Sequence, residues 1–166
     1  STGWERVDDL CQGGLGRREL GVVIAPTGAG KSMVLCHLGS TAIKEGKTVV
    51  HYTLELADTV VGQRYDSCIS VVPLGDLLRN KEKVFDVVQD LEGELIIKEY
   101  PTKSASTSTI KSHLEKLRKR SIEPDMIIVD YADLLKPTKS SGEKRHELEN
   151  IYEELRAIAQ VYNCPV

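Results

Sequence analysis

Ala25-Pro26-Thr27-Gly28-Ala29-Gly30-Lys31-Ser32 is the stretch on which the fold turns. An apolar run, Gly21-Val22-Val23-Ile24, precedes it, and a helix-compatible run, Met33-Val34-Leu35-Cys36, follows. Strand, glycine-rich loop and helix in that order are what a phosphate-binding P-loop requires. Gly28 and Gly30 let the backbone turn its amides inward with no side chain to block an anion. The cradle then sits at a helix N-terminus, where free N–H groups and the positive dipole end favour phosphate. In that geometry Lys31 reaches the β- and γ-phosphates, and the Ser32 hydroxyl ligates Mg²⁺. Ala25 stands where the usual first glycine would be and is small enough to fit. The bland alternative is a chance glycine-rich loop before a helix. With all parts in register, the stretch predicts binding of a nucleoside triphosphate, ATP with Mg²⁺, by residues 25–32.

Working outward, strands and helices alternate, which predicts a mostly parallel sheet with helices on both faces. A helix is expected from about Lys31 to Glu45, stopped at Gly46. Thr48 to Leu54 reads as a β-branched strand, followed by a helix over roughly Asp58–Ser67 and a second over about Gly75–Leu91. Leu95-Ile96-Ile97 is another buried strand. Ser106 or Ser108 can cap a helix that carries Ile110, Leu114 and Leu117 on one face. Asp125-Met126-Ile127-Ile128-Val129-Asp130 is the most hydrophobic strand. The last helix, about Glu143–Tyr162, aligns Leu148, Ile151, Tyr152, Leu155, Ile158, Ala159 and Tyr162 on one stripe. Asn163-Cys164-Pro165-Val166 reads as the turn into a further buried strand. Residues 1–166 are therefore expected to form a single domain cut short at its C-terminus, and the Ser1-Thr2 start without Met fits an excised piece.

Composition bounds the function classes. A chain of 166 residues, 40% hydrophobic and 28% charged, describes an ordinary soluble domain, and no apolar run is long enough to cross a membrane. Four widely spaced cysteines, Cys11, Cys36, Cys68 and Cys164, contain no Cys-x-x-Cys pair. Buried free thiols in a reducing cytoplasm are expected, not a disulfide framework or a zinc site. A net charge of −3 gives no global attraction for nucleic acid, so any DNA contact must come from local basic loops. The segment Lys136-Pro137-Thr138-Lys139-Ser140, with Lys144 and Arg145, is one such candidate, and a solvated loop is its plain alternative.

Two carboxylates complete the candidate site. Asp130 ends an apolar strand expected to face the P-loop, where a Mg²⁺-organising acid belongs. A residue that merely caps the strand end is the alternative. An extra strand between the P-loop and Asp130 suits ATPases that carry a separate catalytic glutamate. Glu55, at the C-terminal edge of the strand after the P-loop helix, is placed to orient or deprotonate the attacking water. Asp58 is the nearest competitor, but it is expected to cap the following helix, because an aspartate before a helical run accepts its free N–H groups.

These residues carry a family resemblance. The chain resembles the C-terminal RecA-like ATPase domain of DnaB-type hexameric replicative helicases, particularly the T-even phage branch. The matching features are Thr2-Gly3 with Val7-Asp8 and Gly13-Gly14-Leu15, the Ala25-x4-Gly30-Lys31-Ser32 loop, Leu54-Glu55 with Arg64 one helix later, and Asp130-Tyr131. Leu155-Arg156-Ala157-Ile158-Ala159 leading into Cys164-Pro165-Val166 also matches. The resemblance covers nearly the whole chain and implies a RecA-like P-loop NTPase. It implies Lys31 and Ser32 on phosphate and Mg²⁺, Asp130 organising the metal, Glu55 as catalytic base and Arg64 near the nucleotide base. It further implies a ring-shaped homo-oligomer, single-stranded DNA, primase and other replisome proteins as partners, and the cytoplasm of a bacterial or phage-infected cell. The family's sensor glutamine, arginine finger and main DNA loops would fall beyond Val166.

Other readings stay open on the sequence. A recombinase, a RadA-like repair protein or a KaiC-like ATPase would share the Thr-Gly…Gly-Gly-Leu opening, although KaiC-like domains tend to carry two adjacent acids where this chain has Glu55-Leu56. A non-catalytic nucleotide-binding scaffold is the reading from a different class.

Overall fold

The computed structural model describes residues 1–138 and 143–166. A short helix, α1 (Glu5–Leu10), precedes the P-loop, and α2 (Lys31–Lys44) follows it. Then come β1 (Thr48–Thr53), α3 (Asp58–Ser70), α4 (Lys81–Gln89), β2 (Glu94–Glu99), α5 (Thr107–Arg118), β3 (Met126–Asp130) and α6 (Lys144–Tyr162). Short 3₁₀ turns cover Leu74–Asp76 and Ala132–Leu134.

The strands are parallel and ordered β2-β1-β3. Thr53 stands in register with Glu99 on one side and Asp130 on the other. β1, not β3, is thus the middle strand, and five of its six residues are buried. Its alternation feeds two separate cores. Val50, Tyr52 and Leu54 pack with Ile110 and Leu114 of α5 and Ile151, Leu155 and Ile158 of α6. Val49 faces Cys36 and Ile43 of α2 and Val61, Tyr65 and Ile69 of α3. Helices therefore cover both faces, as a parallel sheet with near-continuous apolar strands demands.

Local signals set most boundaries. α2 ends at Lys44 and Gly46 closes it, its N–H donating to Ile43 O. Ser106 caps α5 in a reciprocal box with Thr109, which decides between the two serine candidates. Asp58 is the first residue of α3 and Ala57 the cap, so the Asp58 carboxylate accepts from the free Thr59 N–H at 2.6 Å from inside the first turn.

Two expected elements differ. The strand expected over Gly21–Ile24 does not form. Gly21 donates to Val166 O, and Val166 donates to Glu19 O. Ile127 donates to Pro165 O, so the terminal residues lie between β3 and the P-loop approach. Val22, Val23 and Ile24 meet no facing backbone among the described residues, and Ile24 is 90% exposed. A strand needs a ladder partner, which no apolar pattern can supply by itself. The helix expected over Gly75–Leu91 is also broken. The Asn80 side-chain amide donates back to Asp76 O, and residues 77–80 form a turn, not helix, before α4 begins. Local bonds of this kind compete with continued helix.

Tyr65 fixes the approach of α3 to α2. Its ring lies directly on Gly39, where an added Cβ would come within 2.2 Å of the Tyr65 hydroxyl. Alanine gains about 1 kcal/mol over glycine in a helix, but overpacking a buried aromatic ring costs about 1–3 kcal/mol. The steric term wins because Tyr65 is 1% exposed and cannot swing away. Gly39→Ala should therefore lower the unfolding free energy in a urea titration; a gain would show that the two helices can separate freely.

The Tyr65 hydroxyl meets His51 Nδ1 of β1 at 2.9 Å. Burial lowers the His51 pKa from 6.5 to about 4. The unfolded chain takes up that proton while the folded chain refuses it. The His51 contribution is thus complete above pH 6.5 and drains away as the pH falls toward 4. Between pH 7 and pH 4.5 this costs about 2–3 kcal/mol. His51→Gln should flatten that acid limb in urea titrations, and an unaltered limb would assign acid instability to the carboxylates instead.

Candidate nucleotide-binding site

The P-loop emerges with the geometry its glycines predict. Gly28 has φ +78° and Gly30 has φ +93°, backbone states that residues with a side chain rarely adopt. A Cβ at either position would meet nothing within 4 Å, so the concave side of the loop is open. Ala29 donates to Pro26 O at 3.2 Å, which closes the turn. Gly30 is the N-cap of α2 and makes no side-chain cap bond, leaving the first N–H groups of the helix to a ligand. An open cradle at a helix start, which a Cβ would fill, fits a phosphate chain.

β3 delivers Asp130 to the same region. Its side chain is 1% exposed, and neither Oδ1 nor Oδ2 has a hydrogen-bond partner among the described residues. Buried carboxylate oxygens without partners are costly unless a cation completes them. Among the described residues no cluster of three or more His, Cys, Asp or Glu could hold a metal. Asp130 therefore fits a cation shared with phosphate oxygens, the usual situation of Mg²⁺, better than one held by protein alone; Ser32, in the first turn of α2, is not among the residues that line the cavity with it. Lys31 and Asp130 line one cavity of about 630 Å³, together with Leu35, Ile128 and Tyr131.

The structure adds a contact that no sequence pattern announced. Lys31 Nζ sits 4.6 Å from the centroid of the Tyr131 ring. Such cation–π pairs are worth about 0.5–2 kcal/mol, and this one ties the P-loop lysine to the turn after Asp130. One turn behind Ser32, burial pushes the Cys36 thiol up to about 12. Cys36 is a packing residue of α2 at neutral pH, not a nucleophile.

Glu55 lies just past the C-terminal end of β1, beside the end of β3, and is exposed. It does not line the 630 Å³ cavity. Arg64 is half-buried on α3, close enough to α2 that its charge acts on the Cys36 thiol. The fold thus brings Lys31 and Asp130 to one cavity, leaves Glu55 outside its lining at the end of β1 and keeps Arg64 on the neighbouring helix. Of the basic segment, Lys139 and Ser140 lie outside the described residues. Thr138 donates to Glu154 Oε1 of α6 at 2.5 Å.

Residues 1–166 match the sequence profile of the DnaB-like helicase C terminal domain. The chain belongs to that family. It is 30% identical over 163 residues to the DnaB-like replicative helicase of Enterobacteria phage T4, an alignment that covers 93% of this chain and 34% of that protein. It is 21% identical over 174 aligned positions to the replicative DNA helicase DnaB of Helicobacter pylori strain 26695, covering 99% of this chain and 35% of the relative. This member of the DnaB-like family thus spans about a third of the length of the curated relatives it matches. Its fold is shared with a solved ATPase domain, at a TM-score of 0.81 and 15% identity, covering 100% of this chain and 61% of that one. A structure of a DnaB-like replicative helicase, described with its interactions with primase, matches at a TM-score of 0.82 and 15% identity, covering all of this chain and 41% of that one. The α/β architecture expected from the alternation of strands and helices, RecA-like by the family resemblance, is the one observed. No helix among the described residues is long and apolar enough to cross a membrane.

Proposed function

We propose that this chain is the ATP-hydrolysing motor domain of a ring-shaped replicative DNA helicase. The observation that carries the proposal is Asp130, buried with two unpartnered carboxylate oxygens and lining the same cavity as the P-loop lysine. A purely structural nucleotide cradle has no use for such a group. In this reading residues 25–32 wrap the phosphates, with Lys31 drawn from Tyr131 onto the β- and γ-phosphates. Ser32 and Asp130 would hold Mg²⁺, which would supply positive charge to the phosphate oxygens during hydrolysis. Glu55 accepts a proton from the attacking water at the end of β1. Arg64 is assigned to the base end of the pocket.

No arginine finger is assigned to the described residues. In this reading a neighbouring subunit supplies it, so each working site lies between two subunits. A finger of that kind is worth three to five orders of magnitude in rate, roughly. The full-length protein should sediment as a ring-sized oligomer, with an ATPase that single-stranded DNA stimulates and with DNA affinity that falls steeply with salt. Primase is the partner suggested by the DnaB-like replicative helicase whose structure is described with its interactions with primase. Rapid hydrolysis by a monomer, indifferent to DNA, would move the assignment to a RadA-like or KaiC-like ATPase.

A further inference from the structure

The turn that carries Glu55 is held far more firmly than an exposed turn requires. Thr53, the last residue of β1, is fully buried and in register with Asp130. Its hydroxyl donates to Leu56 O at 2.7 Å and accepts from Leu56 N at 3.2 Å, closing a small ring across Glu55. From the other side, Thr102 Oγ1 donates to Leu54 O at 2.9 Å, across 48 residues of sequence. Leu54 N donates to Asp130 O at 2.8 Å, and Tyr100 N donates to Thr53 O at 3.0 Å. The backbone on both sides of Glu55 is thereby tied to β3 and to the segment after β2. The Glu55 side chain itself makes no hydrogen bond or ion pair among the described residues and is exposed.

Two threonine side chains are thus committed to the backbone on either side of the one exposed residue of the turn, Glu55. Threonine hydroxyls that bond nearby backbone fix a single turn conformation. What they fix here is the backbone from which the Glu55 carboxylate departs, relative to Asp130, because one end of the turn is bonded to Asp130 itself. An attacking water needs its base within hydrogen-bond reach, and a misplacement of about 1 Å costs roughly a hundredfold in rate.

We propose that Thr53, braced by Thr102, is a positioning residue for Glu55, setting the carboxylate against the metal-side aspartate before nucleotide arrives. The inference rests on the reading of Glu55 as the base. Neither threonine touches substrate, so the loss on substitution falls on turnover and not on binding. Serine keeps the hydroxyl and should replace Thr53; valine keeps the shape and should not.

Single-turnover hydrolysis of radiolabelled ATP by the assembled full-length protein tests this, with nucleotide affinity measured in parallel. Thr53→Val should slow hydrolysis by about tenfold to a hundredfold at unchanged ATP affinity, while Thr53→Ser stays near wild type. In the Glu55→Gln background, Thr53→Val should cost nothing further, because the group it positions is already gone. An equal loss in both backgrounds overturns the proposal and leaves Glu55 as the base. Wild-type hydrolysis by Glu55→Gln overturns the reading of the base, and the proposal with it. Faster hydrogen exchange at the Leu56 amide in Thr53→Val is the expected structural trace, and unchanged exchange there contradicts the clamp. If Thr53→Val does not fold, Thr102→Val loosens the turn from the other side. It should show the same turnover-only loss, dependent on Glu55, and wild-type turnover by that variant counts against the brace.

Discussion

Lys31→Ala should reduce ATP affinity by about two to three orders of magnitude while leaving the fold intact. Removing one partner of a desolvated, hydrogen-bonded charge pair costs about 2–5 kcal/mol, and each 1.4 kcal/mol is about tenfold in affinity. Lys31 is the cation of that stretch of loop: Arg64 stands on α3 and does not line the cavity, and Arg17 and Lys47, which do, belong to other segments of the chain. The cost to the fold is confined to the contact with Tyr131, at most about 2 kcal/mol, since Lys31 opens α2 and is only half-buried. Trp4 provides a native reporter. It is the single tryptophan, and it stacks on His37 of α2 with ring centroids 4.0 Å apart. Titration of ATP against Trp4 emission, or against a fluorescent ATP, should saturate in the wild type and stay flat in Lys31→Ala. Circular dichroism should superimpose. Equal affinity in the two proteins would remove the P-loop assignment.

The second large effect separates the two carboxylates. Glu55→Gln should preserve Mg·ATP affinity within about twofold and lower turnover by about 10²–10⁴, the range ascribed to a positioned general base. Asp130→Asn should behave in the opposite way. It should weaken the Mg²⁺-dependent part of binding, because a neutral amide is a poor ligand for a hard cation. It should also raise the melting temperature of the nucleotide-free protein by a few degrees. Asp130 is 1% exposed with no partner on either oxygen; the amide that replaces it is as unpartnered but carries no charge, so the charge part of the burial cost is relieved. An active site that stores cost in this way trades stability for metal affinity. Glu55 makes no such sacrifice at the protein surface, so Glu55→Gln should melt as the wild type does. A Glu55→Gln variant that hydrolyses normally would transfer the base to Asp58, whose carboxylate is already engaged by the Thr59 N–H at 2.6 Å.

Much of the candidate site was legible before any fold was known, and the reason is spacing. Gly28, Gly30, Lys31 and Ser32 act through one contiguous stretch of backbone, so their order along the chain is already their arrangement in space. The ends of β1 and β3 were legible for a related reason. Apolar strands in a parallel sheet terminate at the edge where ligands gather, so Glu55 and Asp130 could be placed by counting to the end of each run. What failed were the expectations that required a partner. Val22, Val23 and Ile24 have the composition of a strand, but the backbone beside them is occupied only at Gly21. Leu74 to Gln89 carries helix-forming residues, but the amide of Asn80 folds back on Asp76.

The sequence by itself determined that this chain has a P-loop, a parallel α/β framework and two carboxylates on separate strand ends. Those follow from short-range patterns: glycine where φ must be positive, apolar runs of strand length, and a lysine and hydroxyl at a helix start. Only the tertiary structure decided which groups meet. It put β1 in the middle of the sheet and set Thr53 opposite Asp130. It brought Lys31 over Tyr131, Tyr65 onto Gly39 and Thr102 onto the Glu55 turn. Each of those contacts joins residues far apart in the chain. Their partners are chosen by the packing of helices on both faces of the sheet, a property of the assembled core that no local window of sequence contains.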